Sequence, residues 1–259
     1  MKTSHVFPRH TNYDLPFAVK GDGCYIIDKN GKRYLDASGG AAVSCLGHSD
    51  ETIRKAIIKQ TEELAFAHTS FFTSDPAEKL ATLLANNSPE GINKVYFVSS
   101  GSEAVEASLK LARQYFVEIG EPERHRIISR KQSYHGNTLG ALAAGGNITR
   151  RTYFEKIMLE TSSISPCYPY RNKNNNETET EYGLRVANEL EDEIRALGAK
   201  NVMAFIAETV VGATAGAVTA VPGYFKRIRE ICDKYGILLI LDEVMCGMGR
   251  TGSLFACDE

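Results

Sequence analysis

No two cysteines of this chain stand in a CxxC pair, and none clusters with histidine. The six, at 24, 45, 167, 232, 246 and 257, therefore do not predict a zinc site, and no metal is expected. Several have apolar neighbours, as in "REICDKYG", which points to buried thiols in a reducing cytoplasm. An excess of either charge is also missing: 30 Lys and Arg face 32 Asp and Glu, a net charge of −2. That balance leaves no electrostatic footprint for nucleic acid or an anionic membrane. No apolar run approaches bilayer length. The opening "MKTSHVFPRHTNYDLPF" lacks the apolar middle of a signal peptide, so a cytoplasmic location is expected. No GxGxxG follows the first strand of the alternating region, which weighs against a nicotinamide dehydrogenase.

What is present is 259 residues, 43% of them hydrophobic, ample for one large core or two small ones. Residues 20–36 read as an antiparallel hairpin, with "CYII" and "KRYLD" flanking a turn at Asn30-Gly31. Residues 51–66 carry helical spacing, with Ile53, Ile57 and Leu64 as the apolar stripe. From about residue 94 the pattern becomes strand, loop, helix. "KVYFV" (94–98), "RIIS" (126–129), "VMAFIAE" (202–208) and "ILLIL" (237–241) read as strands, the last as a buried one. "EAVEASLKLARQYF" (103–116) and "GYFKRIREICDKY" (223–235) read as helices. The predicted class is α/β: a mostly parallel sheet with helices on both faces, preceded by an N-terminal antiparallel hairpin segment. "RNKNNNETETEY" (171–182) has no apolar period and reads as a solvated loop.

Each of the four strands ends in a polar turn, and parallel strands would bring all four to one edge, where α/β sheets bind ligands. "SSGSEAVEASLKLAR" puts small residues at a strand–helix junction, where amide N–H groups suit a phosphate and Ser100 and Ser102 add hydroxyls. It lacks the GKS/T ending of a Walker loop, and by itself it also fits a plain helix N-cap. "SYHGNT" offers Tyr134 as an aromatic face for a flat ring, or as a packed loop residue; His135 alone would be a structural histidine. Asp242 is the sharpest signal. A carboxylate at the end of an apolar strand is costly unless paired, and a protonated ring nitrogen would both satisfy it and stay protonated. Phosphate site, stacking ring and buried acid together describe a pocket for pyridoxal 5'-phosphate (PLP).

The chain resembles the class III (omega) aminotransferases, fold type I PLP enzymes. The matching text runs from Tyr34–Gly39 through "LGH" at 46–48, the turn at 99–113 and "YHG" at 134–136 to "AETVVGATAGAV" at 207–218 and "LDEVMCGMGRTG" at 241–252. The resemblance implies that Gly101 and Ser102, with Ser100, hold the phosphate. It implies that Tyr134, in the loop with His135 and Gly136, stacks on one ring face and Val244 packs on the other. Asp242 would bind the ring nitrogen, and Glu208 would lie on the substrate side. Arg250 would be a packing or interface residue. Two departures mark a subgroup: Met245 stands where many relatives have glutamine, and Thr209 where proline is common.

The family also needs a lysine to bond the cofactor, about thirty residues beyond the aspartate. No lysine lies between Asp242 and Glu259. The resemblance thus implies a truncated enzyme: residues 1–48 from the small domain and 49–259 an incomplete PLP-binding large domain. The expected reaction moves an amino group from an omega-amino acid or amine to a 2-oxo acid such as pyruvate or 2-oxoglutarate, in a homodimer or dimer of dimers. A same-family aminomutase or decarboxylase, or an inactive PLP-binding and dimerising remnant, is the alternative. Residues 40–48 and 68–74 would lie near the dimer interface and substrate entrance, with Phe71 and Phe72 lining the pocket or filling the core.

Overall fold

The structure, a computed structural model, describes residues 5–258. The chain divides into two compact units, Met1–Lys79 and Leu80–Glu259. Residues 49–79 fall with the N-terminal segment in this division.

The first unit holds three antiparallel strands in the order β1-β2-β3: Ala18–Asp22, Tyr25–Asp28 and Arg33–Leu35. The expected hairpin is there, with β1 added. Its turn closes because Asp28 Oδ1 accepts the amides of Asn30 (2.8 Å) and Lys32 (3.0 Å), while Gly31 takes a φ of 80° that a side chain would resist. Helix α1 (Glu51–Glu63) starts where the Asp50 side chain accepts the Ile53 amide. A second helix, α2 (Asp75–Asn86), spans the division and had no counterpart in the sequence reading. Phe71 and Phe72 are both exposed, not core.

The second unit is built on a four-stranded parallel sheet, β5-β4-β6-β9, with β4 Arg126–Arg130, β5 Thr161–Ile164, β6 Val202–Glu208 and β9 Leu238–Asp242. Two-residue strands β7 (Val210–Val211) and β8 (Val218–Thr219) form a small hairpin after β6. Strand alternation sorts the central side chains. Ala204 and Ile206 pack with α3 (Gly101–Glu118) through Val105, Leu109 and Phe116. Phe205 and Ala207 pack on the opposite face with α4 (Glu179–Leu197) and α5 (Tyr224–Tyr235), through Leu190, Ile194, Ile228 and Ile231. Every residue of β6 is buried, as a strand covered on both faces should be.

Three expectations need correction. Residues 94–98 form no strand: among the described residues nothing pairs with them, and Tyr96 is 80% exposed. The run at 237–241 is not a buried strand throughout: Ile237 is buried, but β9 from Leu238 on is half-buried, pairing only with β6 among the described residues. The stretch 171–182 is not all loop. A capping box at Thr178 and Glu181 starts α4 inside it, and Tyr182 is fully buried.

Candidate active site

β4, β6 and β9 run parallel, so their carboxyl ends share one edge of the sheet, and three polar turns meet there. Glu208 and Asp242 are register partners at the ends of β6 and β9. The loop after β4 folds across both. The Tyr134 amide donates to Glu208 Oε2 (3.3 Å), and His135 Nδ1 lies 2.8 Å from Asp242 Oδ2. Beside a carboxylate acceptor, Nδ1 is the nitrogen that carries the proton. The hydrogen bond from His135 Nδ1 orients the Asp242 carboxylate. Asp242 Oδ1 accepts the Val244 amide at 3.1 Å, and only 6% of the side chain is exposed. His135 Nε2 is buried without a partner among the described residues.

The fourth turn arrives from 99–102, although no strand precedes it. Ser100 is the N-cap of α3 and accepts the Glu103 amide at 3.2 Å. Its hydroxyl therefore serves the helix first, as the plain capping reading had it. The next amides, Gly101 and Ser102, have no hydrogen-bond partner among the described residues and stand at the positive end of an 18-residue helix. The Ser102 hydroxyl bonds Asn137, receiving its amide at 3.1 Å. Gly136 is required here: its φ is 137°, and a Cβ would lie 2.9 Å from Ser102 Cα. A Cβ on Gly101 would meet Val244 Cγ2 at 3.0 Å. Loop 134–137, the start of α3 and Val244 thus form one close-packed rim.

Tyr134 is half-buried at this rim, and the Arg150 guanidinium lies over its ring, 4.8 Å from the centroid. Val244 is 62% exposed. Glu208 is buried; its carboxylate accepts the Tyr134 and Gly212 amides and forms no ion pair among the described residues. Burial pushes its pKa up, against the pull of nearby His135. All nine sequence-predicted site residues (Ser100, Gly101, Ser102, Tyr134, His135, Gly136, Glu208, Asp242 and Val244) belong to this connected network.

Sequence reasoning missed Arg130. Buried at the end of β4, it donates through Nη2 to the Glu208 carbonyl and lies within 5.8 Å of the Tyr224 ring. The clue was available: a charged residue closing an apolar strand, as at Asp242. Glu243 takes a structural role, accepting the amides of Ala256 and Cys257 at 2.8 Å each and fixing the glycine-rich turn. At the two departures, Thr209 donates its amide to the Asp242 carbonyl (3.3 Å), which proline could not do, and Met245 packs against Gly212.

The sequence profile of class III aminotransferases matches residues 7–259. The chain belongs to the class III aminotransferase family. An uncharacterised aminotransferase of Schizosaccharomyces pombe is 48% identical over all of this chain and 56% of its own length. The putrescine–pyruvate aminotransferase of Pseudomonas aeruginosa is 35% identical over 98% of this chain and 57% of its own. Among solved structures, the omega transaminase of Pseudomonas jessenii in complex with PMP superposes with a TM-score of 0.91 at 31% identity, over 97% of this chain and 57% of that one. The class III fold is therefore that of the fold type I transaminases, and the chain spans a little over half the length of these relatives.

Proposed function

We propose that this chain carries the PLP-binding portion of an aminotransferase that moves an amino group from an omega-amino acid or amine to a 2-oxo acid such as pyruvate or 2-oxoglutarate. The observation that carries the reading is the convergence of the buried Asp242 carboxylate, the two open amides of Gly101 and Ser102, and Tyr134 on one rim. This rim fits PLP in the chemistry of its donors: amide N–H groups for a phosphate, ring-sized faces at Tyr134 and Val244, and an anion for a ring nitrogen. When bound, PLP supplies an electron sink for the carbon that loses its proton. Asp242 would accept the hydrogen bond of the protonated ring nitrogen, His135 keeps Asp242 oriented, and Glu208 would stand on the substrate side. The relative named for putrescine and pyruvate supports this substrate class.

In this reading residues 1–48 belong to the small domain and 49–259 to the large one, and the enzyme is a cytoplasmic homodimer or dimer of dimers. A non-turnover remnant is the second reading. An absorbance titration with PLP tests the assignment. The 259-residue chain should bind, and Asp242→Asn should bind about tenfold to a hundredfold more weakly, the worth of a hydrogen bond to a charged group. Equal affinity would remove Asp242 from its role. Borohydride reduction should leave no adduct on a single lysine; a specific adduct would favour turnover by this chain itself.

A further inference from the structure

A second cleft, of about 800 Å³, opens on the β4–β5 side of the sheet. Strand alternation puts Ser129, Thr161 and Ser163 on it, while Ile128 and Ile164 face the core behind. On this face Ile127 packs with Ala141 and Ala144, while the positions toward the cleft carry hydroxyls. Three cations, Lys131, Arg151 and Arg185, line the same cleft, and its lining contains no Asp or Glu. Arg185 is held by Glu177 at 2.7 Å, which offsets part of its charge. Lys131 and Arg151 form no ion pair among the described residues. Arg151 donates to the carbonyls of Leu142, Ala143 and Gly145, which fixes the guanidinium without neutralising it.

We propose that this cleft binds a small polyanion bearing phosphate or carboxylate groups, at a site separate from the PLP rim. Two unneutralised cations in a concave wall, Arg151 fixed by its carbonyl contacts and Lys131 exposed, focus positive potential, and the exposed Ser163 hydroxyl supplies a further donor, the Thr161 hydroxyl being given to the Ala143 carbonyl at 2.7 Å. The cleft shares a loop with the first site. Gln132, at a left-handed φ of 59°, joins Lys131 to Ser133, and the Gly146 amide donates to the Ser133 carbonyl at 3.0 Å. An anion on Lys131 therefore rests on the loop that carries Tyr134 and His135.

Isothermal titration calorimetry of the 259-residue chain, with inorganic pyrophosphate and separately with citrate, tests the site, each with and without saturating PLP. Pyrophosphate should bind one per chain in the presence of PLP. Its affinity should fall about tenfold in Lys131→Gln, further in Lys131→Glu, and on raising the salt. The citrate arm tells whether carboxylates serve as well as phosphates. Lys131 is exposed, so circular dichroism should show both variants folded; Lys131→Gln carries the test if Lys131→Glu does not fold. The inference is overturned if neither anion binds saturably, if the Lys131 variants bind unchanged, or if PLP abolishes pyrophosphate binding. Lys131-dependent pyrophosphate binding in a chain that takes no PLP would uphold the cleft while sinking the PLP assignment.

Discussion

Residues 94–98 and β6 carry comparable aliphatic and aromatic text, and they end differently. β6 has a hydrogen-bonded neighbour on each side and a helix layer on each face, and all of it is buried. Residues 94–98 have no ladder, and Tyr96 stands in solvent. An apolar run offers a strand; only a partner makes one. The same lesson holds for charges. Glu191 is met by Lys234, Tyr235, Arg195 and Arg227, and the hydrogen bonds from Lys234 and Tyr235 hold its pKa down to about 2. Glu208, met by amides alone, is pushed up by burial.

The largest effect that tests this contrast is Phe205→Ala. Phe205 is fully buried in the centre of β6, and its truncation should cost about 3–5 kcal/mol in urea unfolding. Next come the two glutamates, whose pH dependences should have opposite signs. Glu191, depressed, contributes stability above its ordinary pKa of 4.5 that is lost as pH falls toward about 2. Glu191→Gln should flatten the urea midpoint across that window. Glu208, raised above 4.5, favours its protonated form in the fold, so stability should decline as pH rises through its native pKa. Glu208→Gln should remove that decline; a steeper one would reverse the assignment. The smallest effect is Tyr96→Ser, within about 0.5 kcal/mol of wild type. A loss as large as that of Phe205→Ala would mean that residues 94–98 have a partner after all.

The sequence made the sheet core legible where long aliphatic runs alternate with helices, as at 202–208 and 223–235. It hid β5, because "TSSI" places hydroxyls where a run of aliphatics would have announced a strand. The start of α4 was written in Thr178 and Glu181, but the polar composition around them masked the capping pattern. Glu208 and Asp242 could be named because each closes a strand, and Ser100 and Ser102 because they stand at the opening of a helix, whereas Gly136 and Val244 rested on the family resemblance. Their mutual contacts could not, since His135 and Asp242 meet across 107 residues of chain. Half-burial of β9 was equally hidden, being a property of its neighbours rather than of "LLILD".

The contact between Gly136 and Ser102 has a mechanical consequence. With no room for even a methyl group between them, the histidine loop cannot slide past the first turn of the 101–118 helix. The two ends of the pocket behave as jaws cut from one block, and whatever grips one of them stiffens the other.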